Sequence, residues 1–280
     1  MLAISLALAA SVAWGGSDFV AGLSSRRLPL LAVLLGSQVA GLALLVGFLA
    51  IAGEGRPPAS GMLVAAGAGV AELLGFAALY KSLALGPMSV VAPISSAGAV
   101  VPVIASLAAG ERPALAVELG MGLALVGAAL ACAERASGAP RRRVPGAALA
   151  IAAALCFGTF FLAMHAAADT AGPAWAVTIN RATSVALLLG ALAVRRPRLP
   201  FAPGDLVAVV AIGVMDAGAN AMFAFALTRG LASTVSVLGS LYPVTTVVLA
   251  ALLLNERLAP RQAAGVTTAL AGIVVVGAHA

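Results

Sequence analysis

The sequence predicts an all-α integral membrane protein with ten transmembrane helices, arranged as two inverted five-helix repeats. Three observations lead to this fold class. Hydrophobic residues make up 62% of the 280 residues and charged residues only 9%, whereas a soluble domain carries about 25% charged residues. The mean hydropathy is +1.10. The third observation is that ten apolar segments follow one another, and polar residues recur at matching positions in the two halves.

The apolar segments are the predicted spans, because a helix needs about 20 apolar residues to cross the hydrocarbon core. They cover residues 2–22, 29–52, 61–82, 87–109, 113–133, 146–168, 173–194, 204–228, 231–254 and 260–278. The breaks between them contain Gly, Pro, Ser and Arg, which are typical of loops. These ten spans leave no room for a soluble domain.

The most polar stretch of the chain divides it into two halves. Residues 134–145, which include Arg141-Arg142-Arg143, are predicted to link a first repeat over 1–133 to a second repeat over 146–280. Since each half holds five spans, and five is odd, the second half must enter the membrane with the opposite orientation. Inverted repeats are typical of secondary transporters, which bind the solute near the bilayer midplane between the halves.

Matching residues support the repeat. The Glu111-Arg112 turn recurs 145 positions later, and in both halves glycines follow the Glu by nine and sixteen residues. Such small residues are predicted at helix contacts. At an offset of 144 positions, Glu72 is matched by Asp216. The Glu-Arg turns are predicted to cap helices, with gating as the alternative.

Basic residues favour the odd-numbered loops, counted from the first loop after the first span. These loops hold twelve Lys and Arg residues against three in the even-numbered loops. The positive-inside rule therefore predicts cytoplasmic odd loops and both termini outside. The net charge of +6 reflects topology and contact with anionic lipid headgroups rather than nucleic-acid binding. The expected partners are the lipid bilayer and a small organic solute, with no nucleic acid, for a monomer or homodimer in the cell inner (plasma) membrane.

Glu72 and Asp216 are the strongest candidate site residues. Each lies near the middle of its span, where an ionisable side chain costs about 2.5–3.5 kcal/mol to insert. They are predicted to bind a proton or a substrate amine. The alternative is a structural role, in which a protonated or hydrogen-bonded acid holds helices together.

Further candidates lie in neighbouring spans. Arg181 needs an anionic partner, and either holds a substrate carboxylate or neutralises one of the buried acids. Gln38 is its equivalent at an offset of 143 positions, with helix packing as the alternative role. Asp18 either belongs to the site or reaches toward the nearby basic loop, and Trp14 either lines a cavity or packs. Asn220, in the same span as Asp216, completes this group.

Prolines interrupt two matched spans. Pro93 and Pro102 lie in the fourth span and Pro243 in the ninth, and each leaves a backbone carbonyl without its helical donor. Broken helices in corresponding spans indicate a transport site, whereas the alternative is a packing kink. The polar residues beside these prolines join the predicted site, namely Ser95, Ser96 and Tyr242.

These repeats resemble the EamA branch of the drug/metabolite transporter superfamily over essentially the whole chain. The resemblance also includes the Trp14-Gly15 pair and the run from Leu241-Tyr242-Pro243 to Glu256-Arg257. The resemblance implies a ten-helix carrier that exports amino acids, metabolites or drugs, usually driven by an ion gradient. It also implies a central cavity with spans five and ten peripheral, and cytoplasmic termini, opposite to the loop charges. One departure is the proline spacing of the first repeat, so the two repeats need not bend alike.

The predicted function is a secondary transporter that exports its solute by alternating access with proton coupling, rather than an enzyme. No cofactor and no metal site are expected, since the sequence lacks a Walker lysine, a His-Glu-x-x-His motif and a nucleophile elbow. The alternative is an integral-membrane enzyme acting on a lipid-linked substrate, with Glu72, Asp216 and His165 as acid/base groups. A passive channel would need a continuous polar stripe, and the sequence shows isolated polar positions instead.

Overall fold

A computed structural model of the chain describes residues 1–25, 27–53, 55–85, 94–132, 146–195, 203–253 and 259–279, and within these ranges the regular structure is entirely helical. The helices are α1 (Leu2–Ser25), α2 (Leu30–Ala52), α3 (Ala59–Leu85), a 3₁₀ helix (Ala97–Ala99) that leads into α4 (Val100–Ala108), α5 (Leu115–Cys132), α6 (Ala147–Ala171), α7 (Pro173–Arg195), α8 (Pro203–Leu227), α9 (Ala232–Gly239), α10 (Tyr242–Leu253) and α11 (Pro260–His279).

The predicted all-α membrane fold is confirmed. In the described part of the chain, eight helices are long and apolar enough to cross a membrane, with α9 and α10 together forming one of them. The predicted fourth and fifth spans correspond to shorter apolar helices over Ile94–Ala108 and Leu115–Ala131. The count of ten spans stays a prediction, and the predicted linker 134–145 lies outside the described residues.

Each half of the chain packs chiefly against the other half. Helix α1 lies along α8, and its repeat equivalent α6 lies along α3. Helix α2 also contacts α8, while α7 contacts α3. Because these contacts recur in both halves, the polar residues of α1, α2 and α3 face those of α6, α7 and α8 across one shared interface.

Helices α5 and α11 form a separate close pair. A Cβ atom added to Gly120 would lie 3.0 Å from the carbonyl oxygen of Gly272, and one added to Gly272 would lie 2.6 Å from that of Gly120. A Cβ atom added to Gly127 would lie 2.7 Å from the carbonyl oxygen of Gly265, and one added to Gly265 would meet the backbone of Ala131. These four glycines are the ones that follow each Glu-Arg turn, so the prediction that they lie at a helix contact is confirmed.

The two proline-containing spans change conformation at matching positions. The fourth span adopts a 3₁₀ helix over Ala97–Ala99, and the ninth is interrupted at Ser240 and Leu241, which follow Ala97 and Gly98 by 143 positions. Pro102 has no N–H to donate to the carbonyl of Gly98, and Pro243 has none for that of Gly239. Both interruptions therefore begin where a proline removes the helical bond, despite the different proline spacing. Pro93 lies outside the described residues.

Candidate functional site

A small cavity lies at the interface between the two halves. Its volume is about 50 Å³, which is room for a few water molecules and far less than the roughly 300–1,000 Å³ of a typical small-molecule site. Seven of the predicted site residues line it, namely Trp14, Asp18, Glu72, Ser95, Ser96, Asp216 and Tyr242. The interface thus brings together residues that are far apart in sequence.

The cavity wall is built from residues at equivalent positions in the two repeats. Trp14 and Phe157 are 143 positions apart, and both line it. Three further lining pairs are separated by 144 positions, namely Glu72 with Asp216, Ser96 with Ser240, and Gly98 with Tyr242. The cavity therefore lies where the two repeats face each other.

Arg181 forms the centre of a buried polar network beside the cavity. Its Nη1 donates hydrogen bonds of 2.6 Å to Oδ2 of Asp216 and of 2.6 Å to Oε1 of Gln38. The Arg181 side chain is 1% exposed and the Asp216 side chain 12%, so the ion pair is buried, with its Asp216 end at the cavity. Of the three acids that the sequence offers as partners, Arg181 pairs with Asp216. Gln38, its repeat equivalent, is a direct hydrogen-bond acceptor rather than a packing residue alone.

Glu72 makes a different contact from its repeat partner. Its Oε1 accepts a 3.0 Å hydrogen bond from Nδ2 of Asn220, so the amide of α8 is part of the network. Within the described residues, Oε2 of Glu72 and both Nε and Nη2 of Arg181 are buried without a hydrogen-bond partner. A buried polar atom left unpaired costs about 1–3 kcal/mol. This network therefore retains donors and acceptors for a further group.

Aromatic rings surround the acids on the cavity side. The Trp14 ring lies 5.3 Å from that of Phe223 and 6.4 Å, edge-on, from that of Tyr242. Phe161 lies 4.9 Å from Phe223 and also lines the cavity. The sequence analysis did not identify the phenylalanines, although Phe157 occupies the position equivalent to Trp14. The match between those two aromatic positions was the signal that could have found them.

Asp18 lies in the cavity wall with Glu72 and Asp216 rather than only near the basic loop. Asp18 belongs to the second half of α1, which runs toward the first loop. Another lining residue, Leu79, lies near the end of α3, which runs toward the third loop. Phe157 lies in the first half of α6, ten residues after that helix begins at Ala147. The cavity therefore extends from the middle of the spans, where Glu72 and Asp216 lie, toward the odd-loop side of the interface.

On the even-loop side, Glu111 joins the two halves. Its carboxylate accepts hydrogen bonds from the backbone N–H of Ala232 at 2.9 Å, from the backbone N–H of Ser233 at 3.3 Å and from the Ser233 hydroxyl at 2.6 Å. The Glu-Arg turn was predicted to cap a helix, and Glu111 caps α9 of the other half. The equivalent Glu256 lies outside the described residues.

Comparison with known families decides the identity. The profile of the EamA-like transporter family matches residues 1–133 and 144–278. The chain belongs to the EamA-like transporter family. This family is part of the drug/metabolite transporter superfamily. As an EamA-like protein, the chain is a multi-pass membrane protein of a family whose members transport small solutes and are not enzymes.

Solved structures show the same fold. One protein known from a crystal structure is similar to this EamA-like chain with a TM-score of 0.85 and 19% sequence identity, and the match covers 99% of both chains. At that identity the likeness supports the fold alone. No curated protein matches the chain.

Proposed function

We propose that this EamA-like protein is a secondary transporter that exports amino acids, small metabolites or drugs by alternating access with proton coupling. The proposal includes ten spans arranged as two inverted repeats over 1–133 and 146–280, joined by 134–145, in the inner membrane. The observation that carries it is the set of three carboxylic acids and one guanidinium between the halves, in which Glu72, Asp216 and Arg181 are buried and Asp18 is half-buried.

Proton coupling follows from the balance of charge in this set. Arg181 neutralises Asp216 through their ion pair, and no Lys or Arg is among the described residues that line the cavity. If Asp18 and Glu72 were both ionised, one half-buried and one buried negative charge would lie between the halves without a cation of their own. An uncompensated buried charge costs several kcal/mol, so these acids would hold a proton or bind a cationic group of the solute.

Alternating access is supported by the asymmetry between the two membrane sides. The cavity extends from the middle of the spans toward the odd-loop side, whereas Glu111 ties the halves together on the even-loop side. The positive-inside rule predicts that the odd loops are cytoplasmic, and in that orientation the cavity would load solute from the cytoplasm, as an exporter requires. Because the cavity of about 50 Å³ is too small for an organic solute, binding would require the halves to move apart.

The test is the transport of a solute in proteoliposomes with and without a pH gradient. A resistance screen with amino acid analogues and antimicrobials first selects the solute. Glu72→Gln keeps the shape and the hydrogen-bond acceptor but removes the proton site, and we expect it to abolish the response to the pH gradient while expression and thermal stability stay near wild type. Asp216→Asn is the companion variant, although it also breaks the ion pair with Arg181.

The matched control is Glu118→Gln, because Glu118 is an exposed acid on α5, away from the cavity. This variant should keep the pH response of the wild type. If Glu72→Gln and Asp216→Asn both transport with unchanged pH dependence, proton coupling through this pair is wrong.

The enzyme alternative requires His165 beside Glu72 and Asp216. His165 is not among the described residues that line the cavity with these two acids. The proposal of a transporter therefore stands without a second candidate function.

A further inference from the structure

A second cavity lies on the even-loop side, away from the acids. Its volume is about 290 Å³, so it is larger than the central cavity. Ile4 and Val117 line it from the first turns of α1 and α5, Val235 from the start of α9, and His279 from the end of α11. Because four helices begin or end here, the cavity lies at the level of the membrane interface, where lipid headgroups are found.

The cavity combines an apolar wall with a basic rim. Its wall includes Ile4, Val117 and Val235, and its rim carries Arg112 and Arg229. The even-numbered loops hold only three basic residues, and these are two of them. No acidic side chain is among the described residues that line it. The nearby Glu111 already accepts the first N–H groups of α9.

Both arginines keep donors for a ligand. Nη1 of Arg112 donates to the carbonyl of Leu107 at 3.1 Å, and Nη1 of Arg229 donates to that of Phe225 at 3.2 Å. A guanidinium has five N–H donors, and within the described residues these backbone bonds use only one nitrogen of each. The bonds hold the two positive charges at the rim, which matches a phosphate group.

A buried hydroxyl gives an independent indication of a ligand. Thr234 lines the cavity, is 5% exposed, and its Oγ1 has no hydrogen-bond partner in the described part of the chain. A buried hydroxyl without a partner is unfavourable. A ligand with acceptor oxygens, held between the two arginines, would supply that partner.

We propose that this cavity binds an anionic phospholipid, with its phosphate between Arg112 and Arg229 and bonded to the Thr234 hydroxyl. The glycerol end and the start of an acyl chain lie along the apolar wall. The interfacial depth and the apolar wall favour a lipid over a free anion, since a small hydrophilic anion would gain nothing from that wall.

The test measures the thermal unfolding of the purified full chain in detergent, followed by the fluorescence of Trp14 and Trp175. Phosphatidylglycerol, phosphatidylcholine and soluble glycerol phosphate are titrated separately. Phosphatidylglycerol should raise the unfolding temperature by several degrees in a saturable way. Phosphatidylcholine should raise it much less, and glycerol phosphate should have no effect at matched concentration.

Variants locate the effect. The double variant Arg112→Ala with Arg229→Ala should weaken the apparent affinity for phosphatidylglycerol at least tenfold. The matched control is Arg56→Ala, which removes the third even-loop arginine. Arg56 lies outside the cavity lining, so this variant should leave the affinity unchanged. Thr234→Val should fold as well as the wild type, because the hydroxyl has no bond to lose, yet bind the lipid more weakly.

Each of the following results would overturn the proposal. Equal stabilisation by the two lipids would indicate a non-specific effect of added lipid. An equal effect of glycerol phosphate would indicate a small-anion site. If the double arginine variant does not fold, two other measurements test the proposal. Unchanged lipid affinity of Thr234→Val would overturn it, and so would equal retention of the two lipids by the wild type in native mass spectrometry.

Discussion

Replacement of Arg181 by alanine should destabilise the protein strongly. Arg181 is 1% exposed and donates two hydrogen bonds of 2.6 Å, one to Asp216 and one to Gln38. A hydrogen bond to a charged group contributes about 1.5–3 kcal/mol, and the variant would leave the Asp216 carboxylate buried without its partner. Breaking a buried ion pair in this way costs roughly 3–5 kcal/mol, which agrees with the sum of the two bonds.

The assay is thermal unfolding in detergent, with purified variants at equal concentration. A loss of about 1 kcal/mol lowers the unfolding temperature of a chain of this size by about 2–4 °C, so Arg181→Ala should unfold roughly 10 °C below the wild type. Arg181→Lys keeps the charge but cannot present the same planar group to both partners, and should lie between the two. Arg56→Ala removes an exposed charge and serves as the control, with a change within about 0.5 kcal/mol.

A double variant separates the ion pair from general packing damage. Arg181→Ala combined with Asp216→Asn removes both charges, so it should be less destabilised than the sum of the two single variants. An unfolding temperature of Arg181→Ala within 2 °C of the Arg56→Ala control would refute the argument, as would strict additivity in the double variant.

Three other predictions concern the ends and edges of the fold. A reporter fused after Ala280 should indicate the outer side of the membrane, because loop charge orients the spans; a cytoplasmic signal would restore the orientation that the family resemblance implies. Glu111→Ala should cost about 0.5–2 kcal/mol in thermal unfolding because α9 loses its cap, and wild-type stability would show that the cap is dispensable. Gly127→Leu should destabilise the protein by about 1–3 kcal/mol, because a side chain there meets the α11 backbone. An added Cβ would lie 2.7 Å from the carbonyl oxygen of Gly265. The control is Gly47→Leu, because Gly47 has open space around it.

The spans could be predicted because their cause is local. An apolar segment of sufficient length becomes a membrane helix whatever surrounds it, and the predicted 2–22 corresponds to Leu2–Ser25. The ends were less accurate, since α3 continues past the predicted end at residue 82 to Leu85. Hydropathy falls where a helix leaves the hydrocarbon, but its backbone hydrogen bonds continue through the interface, so apolar pattern alone underestimates helix length.

The site was predictable where the repeat constrained it. The equivalence of Gln38 with Arg181 identified two residues that touch. The partner of Arg181 could not be chosen from sequence, because Asp18, Glu72 and Asp216 all lie in neighbouring spans and only the tertiary structure sets the distances. The phenylalanines of the cavity wall could not be distinguished from core residues by hydropathy. The cap that Glu111 provides across 121 positions is likewise invisible to local patterns.

The contact between Gln38 and Arg181 bears on why both repeats reside in one chain. Two equivalent residues that touch must lie near the axis that relates the repeats. In a dimer of identical five-helix subunits, the residue at the position of Gln38 and Arg181 would face its own copy. Two arginines there would repel each other, because their charges would interact in a medium of low dielectric constant. A fused chain permits different residues on the two sides of the axis, so a single cation can be shared between an amide and a carboxylate. Fusion of the repeats thereby makes available a charge distribution that a symmetric dimer cannot adopt.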